Sequence, residues 1–183
     1  MLNAKELAVS GMFGAVGLIV AFLLGTAIIT ATGIPATGGF GNIFATLFIA
    51  VIGIKIVDKF GAGIVLFTVM GILAIPTLIV GPPGIHKIAV MFLLGLIVDV
   101  IIYAFKRSDL GYMLGAAGGS ACGPVSIYMV LVSLGLPQAD ALKPLLLVSS
   151  ITYAILGFAG AYVGLLVYDK KIKHLSVVQN LKL

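Results

Sequence analysis

Residues 7–31 read LAVSGMFGAVGLIVAFLLGTAIITA, a run without one charged side chain. As a helix it would extend roughly 37 Å, more than the ~30 Å hydrocarbon thickness of a bilayer. The run is continuous rather than alternating, which fits a helix and not a barrel strand. Five further apolar runs follow, near 42–57, 61–80, 85–105, 110–136 and 142–168, divided by charged residues or Gly/Pro clusters. The expectation is an all-α membrane protein: a single integral-membrane domain over 1–183, with six transmembrane helices in one bundle.

Composition agrees with that reading. Of 183 residues, 61% are hydrophobic and 9% charged, whereas soluble domains carry roughly 25% charged residues. A soluble enzyme, a nucleic-acid-binding domain and a disordered chain are excluded. The first run is too long for a cleavable signal peptide, and more hydrophobic segments follow it. The single Cys122 rules out an intramolecular disulfide framework.

Charge sets the expected orientation. Of the 11 basic residues, nine fall on one side of the six-segment layout: Lys5, Lys55, Lys59, Lys106, Arg107, Lys170, Lys171, Lys173 and Lys182. Lys87 and Lys143 fall on the other. Basic loops stay in the cytoplasm, so both termini are expected there, in a multi-pass protein of the plasma membrane. The first outer connection, Thr30 to Asn42, is uncharged and rich in glycine. It is either a flexible linker or a lid over an outward-facing pocket, with Thr37, Gly38 and Gly39 as the lid residues.

Small residues recur four apart in three segments. The first has the pairs 10/14, 11/15, 17/21 and 21/25; the fifth has Gly111, Gly115, Gly119 and Gly123; the sixth has Gly157/Ala161 and Gly160/Gly164. Such rows let helix backbones approach closely within a membrane, either inside the bundle or against a partner. Pro76 and Pro124 predict local kinks in the third and fifth segments.

Few polar groups lie inside the apolar runs. Asp99 is the clear intramembrane charge, either an ion or proton site or a partner for Lys55 or Arg107. At the outer end, Gly81-Pro82-Pro83-Gly84 precedes His86 and Lys87. Those two residues fall in the first turn of a helix, whose free N–H groups suit a carboxylate or phosphate. Lys143 lies on the same side, and Ser149 and Tyr153 share one face of the sixth segment. With Asn42 after the glycine-rich connection and Tyr128 on the fifth segment, these form the candidate substrate-binding set. The outer cations lean toward a ligand with an acidic group.

Catalytic patterns are sparse. Walker A is absent, so the chain does not hydrolyse ATP through a P-loop. Gly118-Gly119-Ser120-Ala121 matches the loose motif of intramembrane serine proteases, but His86 and His174 lie at an edge and in the tail, leaving no base at depth. No enzyme activity, resident cofactor or metal site is expected.

The layout resembles the substrate-binding S component of energy-coupling-factor (ECF) vitamin transporters. The resemblance covers the whole chain and is strongest over residues 91–121, MFLLGLIVDVIIYAFKRSDLGYMLGAAGGSA, and 157–173, GFAGAYVGLLVYDKKIK. It implies a membrane-embedded binding subunit for a vitamin or similar small organic micronutrient. Its pocket would lie between the fourth to sixth helices, beneath the first outer loop. Its partners would be a transmembrane coupling subunit and two cytoplasmic ATPases. Gly11 and Ala15 match the family's alanine-x-x-x-alanine contact for the coupling subunit, with glycine in the first position. The absence of Trp is unlike the family's thiamine binders, and Met1-Leu2-Asn3 lacks the N-terminal histidine of its metal-importing members. The alternative class is an autonomous homo-oligomeric channel or ion-coupled carrier using Asp99.

Overall fold

The computed structural model describes residues 2–33, 38–77 and 82–181, and among them the chain is helical without strands. Seven of its α-helices are α1 (Ala4–Thr32), α2 (Gly38–Val57), α3 (Ala62–Ala74), α4 (His86–Ala104), α5 (Asp109–Ser133), the short α6 (Gln138–Leu142) and α7 (Leu146–Val167). A single π-helical turn, Tyr168–Ile172, and a short α8 (Ser176–Leu181) follow. Five helical stretches are long and apolar enough to cross a membrane, the mark of an integral membrane protein. The third expected crossing differs: α3 is an apolar helix of 13 residues. Pro76 lies just past its end and so terminates it rather than kinking it. Pro124, by contrast, sits inside α5.

The six principal helices form a closed ring in the order α1, α2, α7, α5, α4, α3, and α3 returns to α1. Small residues make the close approaches. A Cβ on Gly14 of α1 would overlap the Leu66 carbonyl of α3, and one on Gly95 of α4 would lie 2.7 Å from the Gly63 carbonyl. Cβ atoms on Gly160 and Gly164 of α7 would come 2.6 and 2.8 Å from the Phe44 and Phe48 carbonyls of α2. The 17/21/25 row and the Ser10/Gly14 pair of α1 are buried in the bundle, whereas Gly11 and Ala15 remain half-exposed. The rows of α5 and α7 are thus mainly internal seams. Those of α1 divide between an inner face and an outer one.

The shortness of α3 poses an electrostatic problem. At 1.5 Å per residue it is ~20 Å long, less than the hydrocarbon thickness, so both sets of unpaired backbone groups at its ends need protein partners. The neighbouring antiparallel helix supplies both. Asp99 of α4 accepts hydrogen bonds from Gly61 N (3.0 Å), Gly63 N (3.1 Å) and Ile64 N (2.9 Å) at the start of α3. Lys87, in the first turn at the other end of α4, donates to the carbonyls of Ala74 (3.0 Å) and Thr77 (2.5 Å) at the end of α3. Twelve residues of helix rise by ~18 Å, which matches the length being capped. The anion meets the positive end of the α3 dipole and the cation its negative end. Asp99 therefore pairs with neither Lys55 nor Arg107, as the sequence had allowed; it is the acceptor that closes the start of α3.

Ion pairs and hydrogen bonds gather at the end of the bundle where α1, α3 and α5 begin. Buried Glu6 closes a capping box with Asn3 and accepts from Lys59 at 2.6 Å. Tyr112 donates to Asp58 Oδ1 at 2.7 Å, and Arg107 donates to the Asp58 carbonyl. Lys55 pairs with Asp109 at 3.0 Å and lies over the Tyr112 ring. Asp58, Lys106 and Arg107 adopt positive φ of 51°, 52° and 56°, a conformation that costs free energy in non-glycine residues. Two of the three are held by hydrogen bonds between the α2–α3 and α4–α5 turns.

Candidate functional site

The opposite end contains a cavity of about 100 Å³ between α2, α3, α4, α5 and α7. It exists because the glycine seam between α4 and α5 opens along its length. Cβ atoms on Gly111, Gly115 and Gly119 would press on Phe105, Ile102 or Val98 of the α4 side. Gly123, next in the row, has only Tyr153 of α7 within contact and lines the cavity. The same four-residue spacing that closes two helices thereby leaves a hollow where they part.

Two different walls surround this space. On one side are Asn42 and Thr46 of α2, four residues apart on one helix face, and Tyr153 of α7. On the other are Phe67 and Met70 of α3 with Met91 and Leu94 of α4. Among the described residues, the lining contains no Asp, Glu, Lys, Arg or His. The polar wall is fixed by glycines. Asn42 leans over Gly25 of α1, where any Cβ would overlap Asn42 Oδ1, and the Tyr153 hydroxyl lies over Gly39, where a Cβ would come within 2.9 Å. Asn42 Oδ1 is buried and has no hydrogen-bond partner among the described residues. Leaving such an acceptor unpaired costs about 1–3 kcal/mol; the oxygen itself lies against Gly25 of α1, while the Asn42 side chain lines the cavity.

The candidate binding residues divide in space. Asn42 and Tyr153 come together at the cavity. Lys87 is fully buried, but its ammonium is engaged by α3 carbonyls and it does not line the cavity. His86 opens α4 with Nε2 buried and without a partner among the described residues, outside the cavity lining. Lys143 is exposed, while Tyr128 and Ser149 are half-buried away from the lining. Of the proposed lid residues, Gly38 and Gly39 form the first turn of α2, and Gly39 reaches the cavity; Thr37 lies outside the described residues.

Ser120 of the protease-like motif is fully buried, with its hydroxyl within 2.8 Å of the Ala116 carbonyl and of the Tyr153 carbonyl across the α5–α7 seam. It joins two helices there. Among the described residues, no three His, Cys, Asp or Glu side chains cluster as metal ligands would.

Thr46, Phe67, Met70, Met91, Leu94 and Gly123 were missed as site residues. In helices that are apolar on every side, an inward Met or Leu carries no periodic signal. Only the interrupted glycine row at 123 marked the place.

No family model matches the chain, and no curated protein or solved structure matches it.

Proposed function

We propose that this chain is the substrate-binding S component of an ECF-type importer, taking up a vitamin or similar small organic micronutrient. The observation that carries the proposal is the cavity: it lies within the bundle, at the end remote from the N-terminus and the basic tail. With the basic end in the cytoplasm, this cavity lies toward the outside, where an importer first meets its substrate. Burial of the Lys87 ammonium strengthens the charge bias, because Lys143 is then the accessible cation at the cavity end among the described residues.

The half-exposed Gly11 and Ala15 row on α1 supports a partner contact. Around it, Met12, Val16 and Ile19 present an exposed apolar face. In this proposal the face meets the transmembrane coupling subunit, while two separate ATPases supply energy. The surroundings of Asp99 do not favour the ion-coupled alternative, since both carboxylate oxygens are engaged by backbone N–H groups.

Gentle purification of the tagged chain from its native membrane, with mass spectrometry of co-purifying proteins, tests the proposal. The expected result is two P-loop ATPases and a larger membrane protein, lost from a Gly11→Trp, Ala15→Trp variant that remains folded. Recovery of the chain alone or only with its own copies would overturn it.

A further inference from the structure

We infer that the cavity binds an uncharged, single-ring portion of its ligand, with one hydrogen-bonding edge against Asn42, Thr46 and Tyr153. This rests on the reading of the cavity as the substrate site. It replaces the acidic ligand suggested by the outer cations. Those cations are not available at the cavity: Lys87 is held by Ala74 and Thr77, and Lys143 is exposed outside the lining.

Size, polarity and shape carry the inference together. At about 100 Å³, the space is smaller than an apolar cavity of about 150 Å³ that accepts benzene, which limits its occupant to no more than one ring. A charge placed there would lose its hydration with no countercharge in the described lining, which is strongly unfavourable. An entirely apolar ring would desolvate the polar side chains of Asn42, Thr46 and Tyr153 without replacing their hydrogen bonds. A neutral ring bearing a hydrogen-bonding group answers both conditions. Its apolar face meets Phe67, Met70 and Met91, a soft wall in which thioethers favour aromatic edges. Its polar edge meets the α2–α7 wall.

The test uses benzamide and benzoate, which share size and ring but differ in charge and donor. Binding of each to the purified full chain in lipid nanodiscs is measured by calorimetry and ligand-observed NMR near neutral pH. Benzamide is expected to bind at least about tenfold more tightly than benzoate, a difference of about 1.4 kcal/mol. Leu94→Phe, which fills the cavity, should displace benzamide, and Asn42→Val should remove most of its advantage. Equal or tighter binding of benzoate, binding indifferent to Leu94→Phe, or no binding of either probe at millimolar concentration would each overturn the inference. Because the wild-type comparison alone decides the charge question, a poorly folding variant does not blunt the test. The importer proposal fails separately: benzamide binding by a chain that recovers no ATPases overturns the importer assignment and supports the ligand class. Recovery of the ATPases with a preference for benzoate does the reverse.

Discussion

The two ends of the bundle differ in how fully their buried polar groups are paired. At the end where α1, α3 and α5 begin, Asp99 takes three backbone N–H groups, Glu6 takes Asn3 and Lys59, and Asp58 takes Tyr112 and Arg107. Among the described residues, Asn42 Oδ1, His86 Nε2 and Ser150 Oγ at the cavity end are buried without partners, against Ser10 Oγ alone near Glu6 at the first end. The difference teaches where to look for binding. Satisfied charges make a rigid frame, whereas unmet polar atoms mark the less tightly determined end, which is the end that holds the hollow.

The strongest way to break this contrast is to remove Asp99. Asp99→Ala should leave three α3 N–H groups unpaired and lower stability by about 3 kcal/mol or more, read as a large fall in the thermal unfolding midpoint in detergent. Asp99→Asn keeps one acceptor oxygen and should lose less. An ion flux abolished by Asp99→Asn in a protein of unchanged stability would instead make Asp99 a transport group and erase the distinction between the ends.

Lys87→Met comes next. It deprives the Ala74 and Thr77 carbonyls of a charged donor, and the expected loss is about 2 kcal/mol. Ligand affinity should change little when measured at a temperature where the variant is folded. A selective collapse of binding with stability intact would place Lys87 in the site after all.

Gly25→Ala sharpens the comparison from outside the cavity. The new Cβ must displace Asn42 Oδ1, so benzamide affinity should fall by about tenfold while the unfolding midpoint moves only modestly, overpacking typically costing about 1–3 kcal/mol. Unchanged affinity would show that Asn42 does not set the polar wall. The smallest effect is expected for Lys143→Ala: the side chain is exposed, and stability should stay within about 0.5 kcal/mol, with benzamide titrations unaltered.

Parts of this contrast were legible in the residues. Asp99 stood out as a charge in an apolar run and Lys87 as a cation at an outer helix start, and the glycine rows at 111–123 and 157–164 marked close helix seams. Their partners were not legible. Asp99 was read against Lys55 or Arg107 because opposite charges invite pairing; the true partner is the start of α3, whose N–H groups at Gly61, Gly63 and Ile64 the fold brings to it. Likewise, the pairing of Tyr112 with Asp58 spans 54 positions, a separation across which local spacing says nothing. The site was half visible: Asn42 and Tyr153 announced themselves as polar residues in apolar surroundings, whereas Phe67, Met70 and Leu94 are chemically indistinguishable from the lipid-facing residues of their own helices.

By itself the sequence determined the class of protein and the division of its chain, because uninterrupted apolar runs leave the backbone no stable solution in a bilayer except helices that satisfy themselves. It also determined where helices could approach closely, because only small residues permit backbone contact. Tertiary structure alone decided which row faces a neighbour, which charge caps which helix, and where the seams part to leave a cavity. Those outcomes depend on the mutual rotation and length of six helices, and in an environment as apolar as the side chains themselves, hydrophobicity cannot encode which face turns inward.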